Sequence, residues 1–179
     1  MDNDLFLGPD ANARFLLERL RGHHEEGAIG AQTQVMDSIL LSSDPESGVT
    51  GEFVTRPGMM LALRMEPSGQ QQPRWQSMHI PLGPIEIAPG SIFGVVIKSS
   101  APASITTQIC LRSGRAEGFV DQHFTKTLVS FAQPSTHLDV LEMKNLPTVP
   151  RSAPWRDLIL FFRPGRVEIE LTDIRIFLV

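Results

Sequence analysis

Tyrosine is absent from this 179-residue chain and cysteine occurs once. One cysteine excludes an internal disulfide and a cysteine-rich zinc site. Cys110 stands in the strand-like "ITTQICLRS", with no base or cationic cluster beside it to make a catalytic thiolate, and reads as a small buried apolar residue. No run of about 18 apolar residues occurs, so no membrane-spanning segment is expected. No cluster of lysine and arginine forms a stripe, which argues against a nucleic-acid partner. The opening "MDNDLFLGPDANARF" lacks a basic flank followed by an apolar stretch, so no secretory leader is read and a soluble, cytoplasmic protein is expected. Phosphate-cradling glycine loops, the Gly-x-Ser-x-Gly elbow and a His-x-His pair are all missing, which removes nucleotide binding, elbow-type hydrolysis and cupin-type metal chemistry.

What is present is ordinary globular material, 41% apolar and 20% charged, with its acidity placed unevenly. The first 52 residues hold ten acidic side chains against Arg14, Arg19 and Arg21, leaving ten acidic and thirteen basic for the remainder. The chain therefore divides into an N-terminal helix and acidic loop, 1–33, and a near-neutral domain, 34–179. One helix is expected from Asp10 as N-cap to Gly22 as C-cap, docking by Phe15, Leu16 and Leu20. The following "GHHEEGAIGAQ" reads as a loop.

Beyond it the punctuation is that of β-structure. Strands are expected at 34–41, 50–55, 59–66, 75–81, 92–99, 104–112, 124–132, 136–143, 155–163 and 167–179, separated by Gly, Pro, Ser and Asn. Alternation places Val95, Ile97, Ile109, Leu111, Leu158, Leu160, Ile169 and Leu171 inward. Ten short strands with one helix argue for an all-β fold, an antiparallel sandwich. The last stretch, "VEIELTDIRIFLV", loses step: Val167, Ile169 and Leu171 are odd, Ile174, Ile176 and Leu178 even. A flip of the buried side needs one extra residue, so a β-bulge is expected at Thr172–Asp173, in a strand running through the middle of a sheet.

"WRDLILFFRPGRVEIELTDIRIFLV" resembles the closing hairpin of jelly-roll domains of the galactose-binding-like, carbohydrate-binding-module type, and "WQSMHIPLGPIEIAPGSIFGVVIKSS" is similar to their central strand pairing. The resemblance spans residues 34 to 179. It implies an antiparallel jelly-roll β-sandwich with one short N-terminal helix, a glycan as ligand, no catalysis, and a structural calcium of the kind such modules bind, with Asp173 and Asp157 as its carboxylates.

A pyranose has one apolar face and a fringe of hydroxyls, so its site needs a flat aromatic and a few fixed polar groups. "PRWQS" and "PWRDL" assemble that combination: Trp75 and Trp155 as stacking rings, with Arg74, Arg156, Asp157, His79 and Gln76 as hydrogen-bonding groups. The same tryptophans also fit as rings closing the rim of the core, and the lack of tyrosine favours that. For metals, Asp121-x-His123 and His137-x-Asp139 each place two ligand-capable groups on one face of a strand, and four would meet if the strands were neighbours. His23 and His24 lack the spacing of a helical metal site. Two other functions stay open: a protein-interaction or assembly domain with no small-molecule ligand, docking a protein partner or a second copy, and a glycan-acting hydrolase with a carboxylate/His site.

Overall fold

The computed structural model describes residues 8–69 and 71–179; the first seven residues of the opening that bears on a leader lie outside the described residues. One α-helix and thirteen strands follow in order: α1 (Ala11–Gly22), β1 (Glu25–Ile29), β2 (Gln32–Met36), β3 (Ile39–Ser43), β4 (Val49–Arg56), β5 (Met59–Pro67), β6 (Gln76–Pro81), β7 (Ile92–Ser100), β8 (Ile105–Gly114), β9 (Phe119–His123), β10 (Leu128–Ser130), β11 (Ser135–Glu142), β12 (Arg156–Phe162) and β13 (Val167–Leu178). They form two sheets, ordered β1-β4-β5-β13-β7-β11 and β10-β8-β12-β6-β3-β2, with β9 paired to β8. Every pairing is antiparallel. The protein is an antiparallel jelly-roll β-sandwich with one short N-terminal helix.

All eight residues expected to face inward are buried and belong to one core cluster. Alternation decides this, because each strand must turn one side to the other sheet to remove apolar surface from water. Tight turns set the registers: Pro57-Gly58 joins β4 to β5, with Gly58 at φ 86° in the left-handed position that a type II turn requires.

The phase flip in β13 is a bulge, with the register shifting between Leu171 and Asp173. Its first half pairs with β5 and its second with β7, so the last strand holds the middle of its sheet. At the bulge, Ile174 N–H donates to Met60 Sδ (3.1 Å) and Thr172 Oγ1 to the Lys98 carbonyl (3.2 Å). The expected closing hairpin is not a paired one. β12 lies between β8 and β6, and β13 between β5 and β7, so Pro164-Gly165 carries the chain from one sheet to the other.

Several expectations are corrected. Residues 25–29 are a strand, β1, paired with β4, and the span 34–41 is interrupted by a turn at Asp37-Ser38. The division at 33/34 therefore cuts through β2, and residues 25–36 give a strand to each sheet. The helix buries Ala13, Leu17 and Leu20, while Phe15 is 68% exposed. Phe15 lies two positions from both Ala13 and Leu17, off the stripe that i, i+4 and i+7 spacing defines. The helix packs on β13, β4 and β5, interior strands rather than an edge. Arg21 fastens it, donating to Asp173 at the bulge (2.9 Å) and to the Ile174 carbonyl (2.8 Å). No helix among the described residues is long and apolar enough to cross a membrane.

Candidate functional site

Residues that alternate away from the core on the seven-stranded sheet form its outer layer. β8 contributes Gln108, Cys110 and Arg112, β12 contributes Asp157, Ile159 and Phe161, and β6 contributes Ser77 and His79; of these Cys110, Ile159 and Ser77 are fully buried, and the others make the accessible mixed aromatic and polar surface. The registers align them in rows across the strands. Asp121 stands opposite Arg112, and Arg112 opposite Asp157; His123 stands opposite Cys110, Cys110 opposite Ile159, and Ile159 opposite His79; Gln108 stands opposite Phe161, and Phe161 opposite Ser77.

Trp75 lies at one end of this surface. It immediately precedes β6, in step with Ser77 and His79, and its indole N–H points to Ser42 Oγ (3.4 Å). Arg74 crosses its ring at 5.3 Å and is anchored by Asp44, whose carboxylate accepts from Arg74 Nε (2.6 Å), Nη2 (2.9 Å) and backbone N–H (3.1 Å). That side-chain bond holds the Asp44 carboxyl well below the usual carboxylate range. Asp44 itself caps the short 3-10 turn 45–47 through Glu46 N–H. The loop that presents Trp75 is therefore tied down at two points. Trp75, Arg74, Gln108, His123, Phe161 and Arg163 line a groove of about 490 Å³. Within it the His123 and Phe161 rings sit 6.0 Å apart, centroid to centroid.

Trp155 marks the opposite end. Its ring lies directly on the backbone of Gly114, where any Cβ would overlap the indole, and it remains 38% exposed. Gly114 is paired with Phe119, half-exposed under the Arg112 guanidinium at 3.8 Å. From Gln108 to Gly114 the strand rise sets these two ends about 20 Å apart. Between them lie the Arg112–Asp121 pair, bidentate at 2.7 Å on both arms, and His79, whose Nδ1 is 3.5 Å from Asp157 and whose Nε2 is 3.1 Å from Ser77 Oγ. Hydrogen bonding to Arg112 holds the Asp121 carboxyl below its ordinary range.

The structure thus brings Trp75, Arg74, His79, Asp157 and Trp155 to one face. It turns Gln76 and Arg156 the other way. Gln76 is fully buried and donates to the Arg163 and Gly165 carbonyls (2.9 and 2.8 Å). Arg156 is fully buried and donates to the Ile85, Pro150 and Arg151 carbonyls and to Ser113 Oγ, joining the loops at that end of the sandwich. Burial lowers its pKa, and no carboxylate among the described residues bonds to it. Neither residue can meet a ligand at the surface. Both sit one position from an outward tryptophan, and side chains on a strand alternate, so the same period of two that exposes the ring buries its neighbour. That signal would also have found Phe161, which follows Asp157 and Ile159 in step. Gln108 and Arg112, and the place of Asp121 beside Arg112, became visible only with the pairing of β8 to β9 and β12.

The four-residue metal arrangement does not assemble. Asp121 and His123 lie on β9 of one sheet, and His137 and Asp139 on β11 of the other. Asp139 accepts from the Lys126 and Val140 N–H groups (2.7 and 2.9 Å), and burial lowers the pKa of His137. Asp173 and Asp157 are likewise on opposite sheets, so they cannot share one calcium. Burial opposes ionisation of Asp173, yet hydrogen bonds from Arg175 (2.7 Å) and Arg21 hold its carboxyl below the ordinary range. Cys110 is buried as expected, but outside the core cluster, beneath the outer-face polar groups. Burial pushes its thiol up to about 12, which leaves it protonated at neutral pH and a poor nucleophile.

No family model and no curated protein matches the chain. Solved structures share its fold. The xylan-binding domain CBM22-1 of Paenibacillus barcinonensis Xyn10C superposes with a TM-score of 0.50 at 8% identity, over 88% of this chain and 97% of that one. A CBM4 structure gives a TM-score of 0.54 at 11% identity, over 78% and 87%. The family 11 carbohydrate-binding module of Clostridium thermocellum, solved with a β-1,3-1,4-mixed-linked tetrasaccharide, gives 0.50 at 9% identity, over 85% and 95%. At such identities the likeness is one of fold: the chain has the β-sandwich of carbohydrate-binding modules.

Proposed function

We propose that the protein is a non-catalytic binding domain that holds an extended glycan on the outer face of its seven-stranded sheet. The observation carrying this reading is the groove in which Trp75 and Phe161 share one wall-to-wall space with Arg74, Gln108 and His123. Flat rings match the apolar face of a pyranose, and fixed donors and acceptors match its hydroxyls. The shared fold with modules that bind xylan or a mixed-linked glucan supports the class of ligand at the level of architecture only. The spread of aromatic residues over about 20 Å suits a chain of several sugars rather than a monosaccharide. A hydrolase fits the face less well. A glycosidase needs a carboxyl group kept protonated as general acid, whereas Arg112 holds Asp121 in its ionised form.

The interaction reading rests on a different surface: Val129 on β10 and Leu138 on β11, both about half exposed at sheet edges. A glycan array probed with the whole chain separates the two. Binding to β-linked glucans or xylans, lost on Trp75→Ala, supports the proposal; a blank array together with a dimeric elution volume supports assembly instead.

A further inference from the structure

The pairing of β9 with β8 creates one chemical cluster of which the glycan reading uses only His123. Cys110 and His123 are directly opposed across the two strands, and Asp121 is the diagonal neighbour two residues back on β9. Opposed side chains on one face of an antiparallel pair have Cβ atoms about 5 Å apart, close enough to converge on a single point. They do converge: the Cys110 sulfur, an Asp121 carboxylate oxygen and a His123 ring nitrogen all lie within 4.8 Å of one another.

We propose that Cys110, Asp121 and His123 form a three-ligand site for a zinc-like divalent ion, open on its fourth side towards the groove shared by His123 and Phe161. A thiolate, an imidazole and a carboxylate are the donor set that zinc takes, and calcium, which prefers oxygen ligands, does not match it. Three protein ligands with one open position is the pattern of a zinc ion that can accept water or a ligand atom. Asp121 already carries Arg112 on both oxygens, and each oxygen keeps a lone pair for a metal. Arg112 then acts as the outer partner that orients the carboxylate, as ligating carboxylates generally require. Cys110 in turn shares a hydrogen bond with Asp121. On binding, the ion replaces the thiol proton, which leaves to solvent as the metal–sulfur bond forms.

The inference shares His123 with the glycan groove but is tested without a sugar. The whole chain, stripped by a chelator, is titrated with Co²⁺ at neutral pH. The expected result is one equivalent bound with a sulfur-to-cobalt charge-transfer band and tetrahedral visible bands, displaced by Zn²⁺ and unaffected by excess Ca²⁺. Cys110→Ser should abolish the charge-transfer band. His123→Ala, at an exposed position that leaves folding unaffected, should weaken Co²⁺ binding by about tenfold or more. Cobalt bound without the sulfur band, for example at His23 and Glu25, overturns the proposal. So does an absence of binding, or a His123→Ala protein that binds like the parent.

Discussion

The two sheets of this sandwich each carry a groove of about 490 Å³ on the outer face, and the grooves differ in chemistry rather than in size. On the six-stranded sheet the groove is lined by Glu52, Arg64, Glu168 and Glu170 with Val54, Ala62 and Pro102, and no ring faces it. The charges that are paired there pair with one another: Arg64 donates to Glu66 (2.8 Å), and Arg166 bridges Glu66 and Glu168. On the seven-stranded sheet the charges are instead recruited to hold aromatic residues in place. Asp44 anchors the Arg74 that lies across Trp75, and Asp121 anchors the Arg112 that lies over Phe119. A cavity of suitable volume is common on a sheet. Fixed rings with polar neighbours are what single out one of these two surfaces as the proposed glycan site.

The largest effect that sharpens the contrast is on stability. Arg156 lies beneath the outer face of the seven-stranded sheet and bonds entirely inward, so Arg156→Met leaves buried carbonyls without a donor. Loss of on the order of 3 kcal/mol is expected, a fall in Tm of roughly 6–12 °C by calorimetry. A Tm within a degree of the parent would mean that the loops at this end do not depend on it.

Next come the rings. Trp75→Ala and Phe161→Ala should each weaken a bound glycan on the order of tenfold in isothermal titration, since one stacked ring contributes about 0.5–1.5 kcal/mol beyond its burial. Glu170→Ala, in the other groove, should leave affinity unchanged. Equal losses on both faces would erase the distinction drawn between them.

Asp44→Asn is expected to act more mildly. It frees Arg74 and loosens the Trp75 loop without removing any contacting group, so affinity should drop by only about two- to fivefold, with most of the loss in the dissociation rate.

The smallest effect is that of acid. The folded Asp44 carboxyl ionises below its unfolded value, so its contribution to stability is complete above the ordinary carboxylate pKa of about 4 and fades as the pH drops towards the native value. The decline in Tm between pH 5 and pH 3 should therefore be shallower for Asp44→Asn than for the parent. Identical slopes would show that the Asp44–Arg74 pair does not contribute to folding.

Much of the frame was legible because its signals are local. Alternation in 92–99, 104–112 and 155–163 identified the core residues, and the broken phase of 167–179 located the bulge to the residue. Trp75 and Arg74 could be singled out from "PRWQS" for the same reason: the chemistry is contiguous. The misassigned residues show where local reading stops. Gln76 and Arg156 were grouped with the tryptophans by proximity in sequence, although neighbours on a strand face opposite ways. Phe15 was placed on the helix's buried stripe in place of Ala13 and Leu17, because its size outweighed its position. The cluster of Cys110 with Asp121 and His123 could not be read at all, since it depends on the register between β8 and β9. Strand β1 escaped because its apolar content is slight; only Ile29 of it is buried, and pairing with β4 holds the rest.

The central claim is that a glycan lies on the outer face of the seven-stranded sheet, and an NMR titration tests it most directly. Nitrogen-15 spectra of the whole protein would be followed while a mixed-linked β-glucan tetrasaccharide, and separately a xylo-oligosaccharide, is added. The account predicts saturable shifts of the Trp75 indole N–H and of the Gln108, His123 and Phe161 amides with at least one of these ligands, while Glu52, Arg64 and Glu170 stay in place. Shifts confined to the Glu52–Glu170 groove, or none with either sugar, would contradict it.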